Sequence, residues 1–361
     1  MPGTFLLGNF WFLDIIDAQL NVQHSAITKE IEMVDLSVSY MGLNLRNPII
    51  VSSSDLTRTV DRIKKCEEAG AGAVVLKSIF EEQFLIEGDI PESDYAIYPE
   101  ALDYMRSGSL FEYAPHNLTN LIEQAKKEVS IPVIASINCQ TPALWPSFAR
   151  QIERAGADGL ELNISFLPIS LSVPSEEYED SHVRVLREVK REISIPVAVK
   201  LMSQVTSVPH LAHKLAESGC DAIVLFNWFL EPDIDINKVK TKALIGKGNL
   251  YHSLRWVGLC SGRIACDIAA SGGIQTAGDV VKQILAGASA VQICTLFMHE
   301  GVEEIQNLIK GLEAWITDHG FGGIDDFKGE LSFKRQELTF RDLGEASSYF
   351  RAQYLKTYST K

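Results

Sequence analysis

Two lysines stand out because each closes an otherwise apolar run. Ala73-Val74-Val75-Leu76 leads into Lys77-Ser78, and Pro196-Val197-Ala198-Val199 leads into Lys200. Burying an ammonium is costly unless an anion or a polar group answers it. Two answers are open: a structural ion pair with Glu161 or another carboxylate, or an electron-rich cofactor whose negative charge the lysines stabilise. Asn163 and Asn227 end two further apolar runs. Each carries a donor and an acceptor, enough to read the amide or imide edge of a planar ligand. Ser52-Ser53, Asn138-Cys139 and Asn163-Ile164-Ser165 occupy equivalent places. Ser271-Gly272-Gly273 and Cys294-Thr295 close the last two runs. Glycine N–H groups opening a helix can hold a phosphate. A tight turn without a ligand is the plainer reading of Gly272-Gly273, and the partner loop at Cys294-Thr295 favours phosphate.

These residues need a scaffold that brings run ends together, and the sequence repeats one. Ala69-Gly70-Ala71-Gly72 precedes the second run, and near copies stand at Ala155-Gly156-Ala157, Ser218-Gly219-Cys220 and Ala286-Gly287-Ala288. Each glycine ends a helix in the left-handed conformation. The apolar residues that follow form a strand buried on both faces, as parallel strands are. Ser130-Ile131-Pro132 and Ser194-Ile195-Pro196 form a second repeat, with Pro at the strand entrance where no ladder donor is lost. The pattern predicts eight strands near 48–53, 73–77, 132–138, 159–163, 196–201, 222–226, 265–271 and 290–294. Amphipathic helices are expected over 60–69, 118–129, 143–155, 177–193, 208–218 and 278–286. Eight βα units make an α/β protein with a (β/α)8 TIM barrel, whose chemistry sits at the C-terminal ends of its strands. A doubly wound open sheet is disfavoured, because no Gly-x-Gly-x-x-Gly follows the first strand. The connections 79–117 and 227–263 are too long for plain crossovers and read as functional loops or lids. The expected layout is an extension over 1–32, a single barrel over 33–331, and a polar tail over 332–361.

The chain has 361 residues with 33 Lys plus Arg against 47 Asp plus Glu, a net charge of −14. That balance argues against nucleic acid and against anionic lipid as partners. The six cysteines, at 66, 139, 220, 260, 266 and 294, form no Cys-x-x-Cys, and no metal site is expected. They read as reduced, mostly buried thiols of a cytoplasmic protein. No apolar run is long enough to span a bilayer.

Taken in order, Asn47-Pro48, Ser52-Ser53, Lys77-Ser78, Asn163-Ile164-Ser165, Val199-Lys200-Leu201, Asn227, Ser271-Gly272-Gly273-Ile274 and Gln292-Ile293-Cys294-Thr295 resemble the dihydroorotate dehydrogenase family, most closely its cytosolic class 1 branch. The resemblance spans about 34–331. It implies FMN as cofactor, with Gly272, Gly273, Cys294 and Thr295 on its phosphate. Ser52, Ser53, Lys77, Ser78 and Lys200 would lie along the ribityl chain and the ring, and Asn163 and Asn227 would face the substrate. It implies hydride transfer from dihydroorotate to the flavin while a base takes a proton, giving orotate for pyrimidine synthesis, in a homodimer. In class 1 members the phrase after strand 4 is Asn-Leu-Ser-Cys-Pro-Asn, and its Cys is the base. Here Phe166 stands at that position, followed by Leu167-Pro168, and the Asn-Ser-Met-Gly of the loop after strand 2 is missing around Tyr98-Pro99-Glu100-Ala101-Leu102. Ser165 is the first candidate for a substitute base, since the membrane-linked branch uses Ser, and Cys139 is the second. Three readings stay open: a dehydrogenase of dihydroorotate with a substitute base, an FMN oxidoreductase for another planar substrate, or a flavin-binding homologue without turnover. The electron acceptor is not readable, and an iron–sulfur centre would need a partner chain.

Overall fold

The computed structural model describes residues 34–80, 115–139, 144–165, 168–228, 231–244 and 248–333. The extension over 1–32, the segment around Tyr98, Phe166 and the tail beyond Phe333 lie outside the described residues.

The apolar runs form eight strands: β1 (Ile49–Val51), β2 (Ala73–Val75), β3 (Val133–Asn138), β4 (Gly159–Asn163), β5 (Val197–Met202), β6 (Ala222–Asn227), β7 (Asp267–Ser271) and β8 (Ala290–Ile293). Each pairs in parallel with the next, and β8 pairs with β1, so the sheet closes on itself. This is the expected (β/α)8 barrel. Around it run α1 (Val60–Glu68), α2 (Pro115–Glu128), α3 (Leu144–Arg154), α4 (Ser175–Lys190), α5 (Val208–Glu217), α6 (Leu250–Cys260), α7 (Ala277–Ala286), the short α8 (Thr295–Glu300) and α9 (Glu304–Asp318). A two-residue strand, Ile79–Phe80, prolongs the line of β2 and pairs with β3.

The repeated phrases have a common mechanical basis. Gly70, Gly156, Gly219 and Gly287 follow α1, α3, α5 and α7 with φ of +104°, +89°, +89° and +109°. Glu67 of α1 accepts from Ser130 N, Ser130 Oγ and Ile131 N at 2.7, 2.6 and 3.2 Å. Glu153 of α3 repeats this on Ser194 N, Ser194 Oγ and Ile195 N at 2.6, 2.7 and 3.2 Å. The prolines follow, and then the first strand N–H groups, Val133 and Val197, donate to Asp158 and Asp221 at 2.7 Å each. Lys126 and Lys190 pair with those aspartates. At these two entrances the stranded donors are therefore met by side chains from neighbouring units. The hydrogen bonds from Ser194, backbone first, hold the Glu153 carboxyl below its ordinary value despite some burial. Its stabilisation is present above the unfolded pKa of about 4.3 and is lost as pH falls through the folded value. Glu153→Ala is expected to cost about 1 kcal/mol at pH 7, discounted for solvent screening, and to shallow the loss of stability between pH 5 and 3. Urea denaturation across that range checks both.

Three features depart from expectation. The 227–263 connection is not a bare loop: it holds an antiparallel hairpin, Glu231–Asp235 with Lys240–Leu244, and then α6, an ordinary barrel helix. Asn249 caps α6 by accepting from His252 N at 3.1 Å. Gly272-Gly273 does not itself open a helix, because Thr276 caps α7 through a capping box with Asp279, three residues further on. A hairpin at the start, Val38–Tyr40 with Leu43–Leu45, covers the N-terminal mouth. Tyr40 and Met41 are buried there, and Met41 N donates to Asp267 Oδ2 at the foot of β7, 2.7 Å away.

Candidate functional site

Eight strand ends meet on one face. Around the ring β5 lies opposite β1, and β4 lies opposite β8. Side chains that bond across those pairs therefore cross the barrel interior. Lys200 of β5 donates to Ser52 Oγ at 3.2 Å and to Gln292 Oε1 of β8 at 3.0 Å. Gln292 Nε2 donates to Glu161 Oε2 of β4 at 2.6 Å, and Lys200 Nζ lies 3.6 Å from Glu161 Oε1. All four residues are buried, Glu161 to 1% exposure. The ion pair anticipated for Lys200 is present, and it forms the polar floor of the site. Lys200 lies within β5 rather than at its end, with Leu201 and Met202 beyond it. Gln292 and Glu161 complete this floor.

Above the floor the polar side chains pair off. Ser53 Oγ lies 3.0 Å from Ser78 Oγ and accepts from Ser78 N at 2.7 Å, and Ser78 Oγ lies 2.7 Å from Ser136 Oγ. Lys77 pairs with Asp55. Burial raises the Asp55 carboxyl, but the hydrogen bond and charge of Lys77, with Arg58 and Arg62, outweigh it and hold it below its ordinary value. Asn227 Nδ2 donates to Asn163 Oδ1 at 3.1 Å, so the two asparagines stand together. Asn138 Nδ2 donates to Ser165 Oγ at 2.5 Å. Cys139, the next residue, is buried. Behind Ser165, His182 of α4 is buried, with Nδ1 2.7 Å from Tyr178 O and a further bond to the backbone of Ile164. Burial holds this imidazole below its usual pKa, against those two backbone bonds, so it is a neutral support for the loop after β4. Asn138 stands at a strand end already singled out in the sequence, whereas nothing in the sequence alone marks His182 for this role.

The loops after β7 and β8 lie side by side. Gly272 and Gly273 take φ of +103° and +75°. Neither N–H has an acceptor among the described residues. Gly248, just before α6, packs against the pair: a Cβ built on it would lie 2.8 Å from Gly273 N. Cys294 precedes α8 and Thr295 begins it. Burial raises the Cys294 thiol, although Ser54 and Lys200 pull the other way, so it is a packing thiol and not a thiolate. Among the described residues no group of three His, Cys, Asp or Glu is placed to hold a metal ion. No described helix is long and apolar enough to cross a membrane.

One cation on a hydrogen-bonded floor, with unsatisfied glycine N–H groups at the neighbouring rim, defines an α/β barrel whose face suits a planar, phosphate-bearing ligand. The family profile described as dihydroorotate dehydrogenase matches residues 35–316. The chain is 31% identical over 310 residues to the catalytic subunit of dihydroorotate dehydrogenase B (NAD(+)) of Thermoplasma acidophilum, covering 82% of this chain and 99% of that one. It is 29% identical over 306 residues to a protein of Aeropyrum pernix named as a dihydroorotate dehydrogenase A (fumarate), covering 82% and 97%. It is 26% identical over 317 residues to the NAD-dependent dihydropyrimidine dehydrogenase subunit PreA of Escherichia coli, covering 82% and 76%. The chain belongs to the dihydroorotate dehydrogenase family.

Members of this family bind FMN. The residues present fit that group. Gly272 and Gly273 would offer two N–H donors to its phosphate, and Lys200, Ser52 and Lys77 would offer cations and polar hydrogens to its ring and ribityl chain.

Proposed function

We propose that this protein is an FMN-dependent oxidoreductase that acts on a CH–CH bond of dihydroorotate, as a cytoplasmic homodimer. The observation that carries the proposal is the crossed floor of Lys200, Glu161, Gln292 and Ser52 beside the Gly272-Gly273 turn. FMN, when bound, supplies the hydride acceptor. Gly272, Gly273, Cys294 and Thr295 would hold its phosphate, and Ser52, Ser53, Lys77, Ser78 and Lys200 its ribityl chain and ring. Asn163 and Asn227, already paired, present amide groups to a substrate ring. Ser165 takes the substrate proton. For this the Ser165 hydroxyl first gives its own proton to solvent, and Asn138, donating to Ser165 Oγ, stabilises the negative charge that this leaves on the oxygen.

A second reading has its own support. PreA is named for dihydropyrimidines, and by the resemblance drawn above Phe166-Leu167-Pro168 would take the place of the class 1 Cys-Pro-Asn. An uncharged dihydropyrimidine is then the substrate. The two readings separate in one experiment. The purified protein is expected to be yellow, and anaerobic addition of dihydroorotate is expected to bleach its flavin absorbance. Bleaching by a dihydropyrimidine and not by dihydroorotate selects the second reading. A flavin that neither compound reduces marks a binding protein without turnover. A colourless preparation that takes up no FMN overturns all three.

A further inference from the structure

The residues flanking Asn227 carry large rings that pack on α6. Phe226 lies 5.0 Å from the His252 ring, and Trp228 meets the same ring edge-on at 5.9 Å. Asn227, between them, bonds to Asn163. The Trp228 indole then reaches the adjacent strand end. Its Nε1 donates to Ser271 O at 3.3 Å. A Cβ built on Gly272 would lie 2.0 Å from that same Nε1, and one built on Gly273 would lie 2.3 Å from Leu250 N. The turn is thus gripped from two sides, by the indole and by the backbone that opens α6. Glycine is needed there for protein packing as well as for φ. The N–H groups of the turn are left without acceptors among the described residues, so the grip fixes the turn and leaves its donors available.

We infer that Trp228 is a positioning residue for flavin phosphate: it clamps the Gly272-Gly273 turn so that both donors are held ready for the anion. This rests on the FMN reading above. A clamp of this kind saves the ordering cost that a loose turn would charge against binding. Its effect is confined to the phosphate, because Trp228 grips the turn and makes no bond to the floor.

The test compares FMN with riboflavin, which has the same ring and ribityl chain but no phosphate. Binding is followed by quenching of free-flavin fluorescence. Wild-type protein should hold FMN far more tightly than riboflavin. Trp228→Ala should weaken FMN binding about tenfold, the size of one lost hydrogen bond and its packing, and leave riboflavin within about twofold. Trp228→Phe keeps a ring against Gly272 and removes only the Nε1 bond, so it should fold normally and weaken FMN about threefold. Gly272→Ala should damage FMN binding less in the Trp228→Ala background than alone, because the methyl then has room. Equal losses for FMN and riboflavin, or no loss in either Trp228 variant, overturn the clamp while leaving the FMN reading intact. Wild-type protein that holds FMN no more tightly than riboflavin overturns the phosphate reading, and the clamp with it.

Discussion

Lys200→Ala is expected to lower the midpoint potential of bound FMN by about 60–90 mV and to slow its reduction about 10²- to 10³-fold, while FMN affinity falls less than about tenfold. Lys200 lies on the barrel floor with its ammonium on Ser52 and Gln292. A fixed charge there matters most when negative charge develops above it, because the pocket walls exclude water and weaken screening. The neutral form of the ligand feels it less. The variant has a structural cost as well. Glu161 is 1% exposed and Lys200 is its cationic partner. Removing one member of a buried pair leaves an uncompensated charge, at about 3–5 kcal/mol. Lys200→Met with Glu161→Gln should recover most of that stability and none of the potential. Spectroelectrochemistry, stopped-flow reduction and urea denaturation measure the three quantities. Equal losses of affinity and reduction rate would make Lys200 a structural residue only.

Ser165→Ala is expected to reduce kcat about 10²- to 10⁴-fold with little change in KM or in the flavin spectrum. The serine is a poor base in isolation. Asn138 changes that by donating to Oγ at 2.5 Å, a bond that strengthens as the oxygen gains charge. Asn138→Ala should therefore lower kcat less than Ser165→Ala does, and should move the ascending limb of the pH–rate profile, where the base loses its proton, to higher pH. A purely structural Asn138 would leave that limb in place. If Ser165→Ala retains full activity, the base is elsewhere. Cys139→Ser is then the deciding variant, because Cys139 follows Asn138 directly at the end of β3.

The barrel was legible because its physics is local. Parallel strands are covered on both faces, so each reads as an unbroken apolar run, and four of the helices before them stop at a glycine: Gly70, Gly156, Gly219 and Gly287. The candidate strand-end residues were legible for the same reason: polar groups such as Asn163, Lys200 and Asn227 are conspicuous beside such runs. Their partnerships were not. Gln292 and Glu161 are 131 positions apart, and Lys200 and Ser52 are 148 apart. Only closure of the ring brings them into contact. Helix α6 was hidden because its start, Asn249, follows a polar hairpin that dominates the 227–263 connection. Trp228 carried no signal in the sequence, because its grip on Gly272 depends on the neighbouring strand end.

The hairpin at the N-terminal mouth has a kinetic corollary. With Tyr40 and Met41 buried at that end, we expect a small-molecule reductant and a small-molecule oxidant of the proposed flavin to share the opposite face, each leaving before the other enters. Turnover is then expected to alternate between two half-reactions, and the product of the first should compete with the reactant of the second. The hairpin would then set the order of traffic although it touches neither visitor.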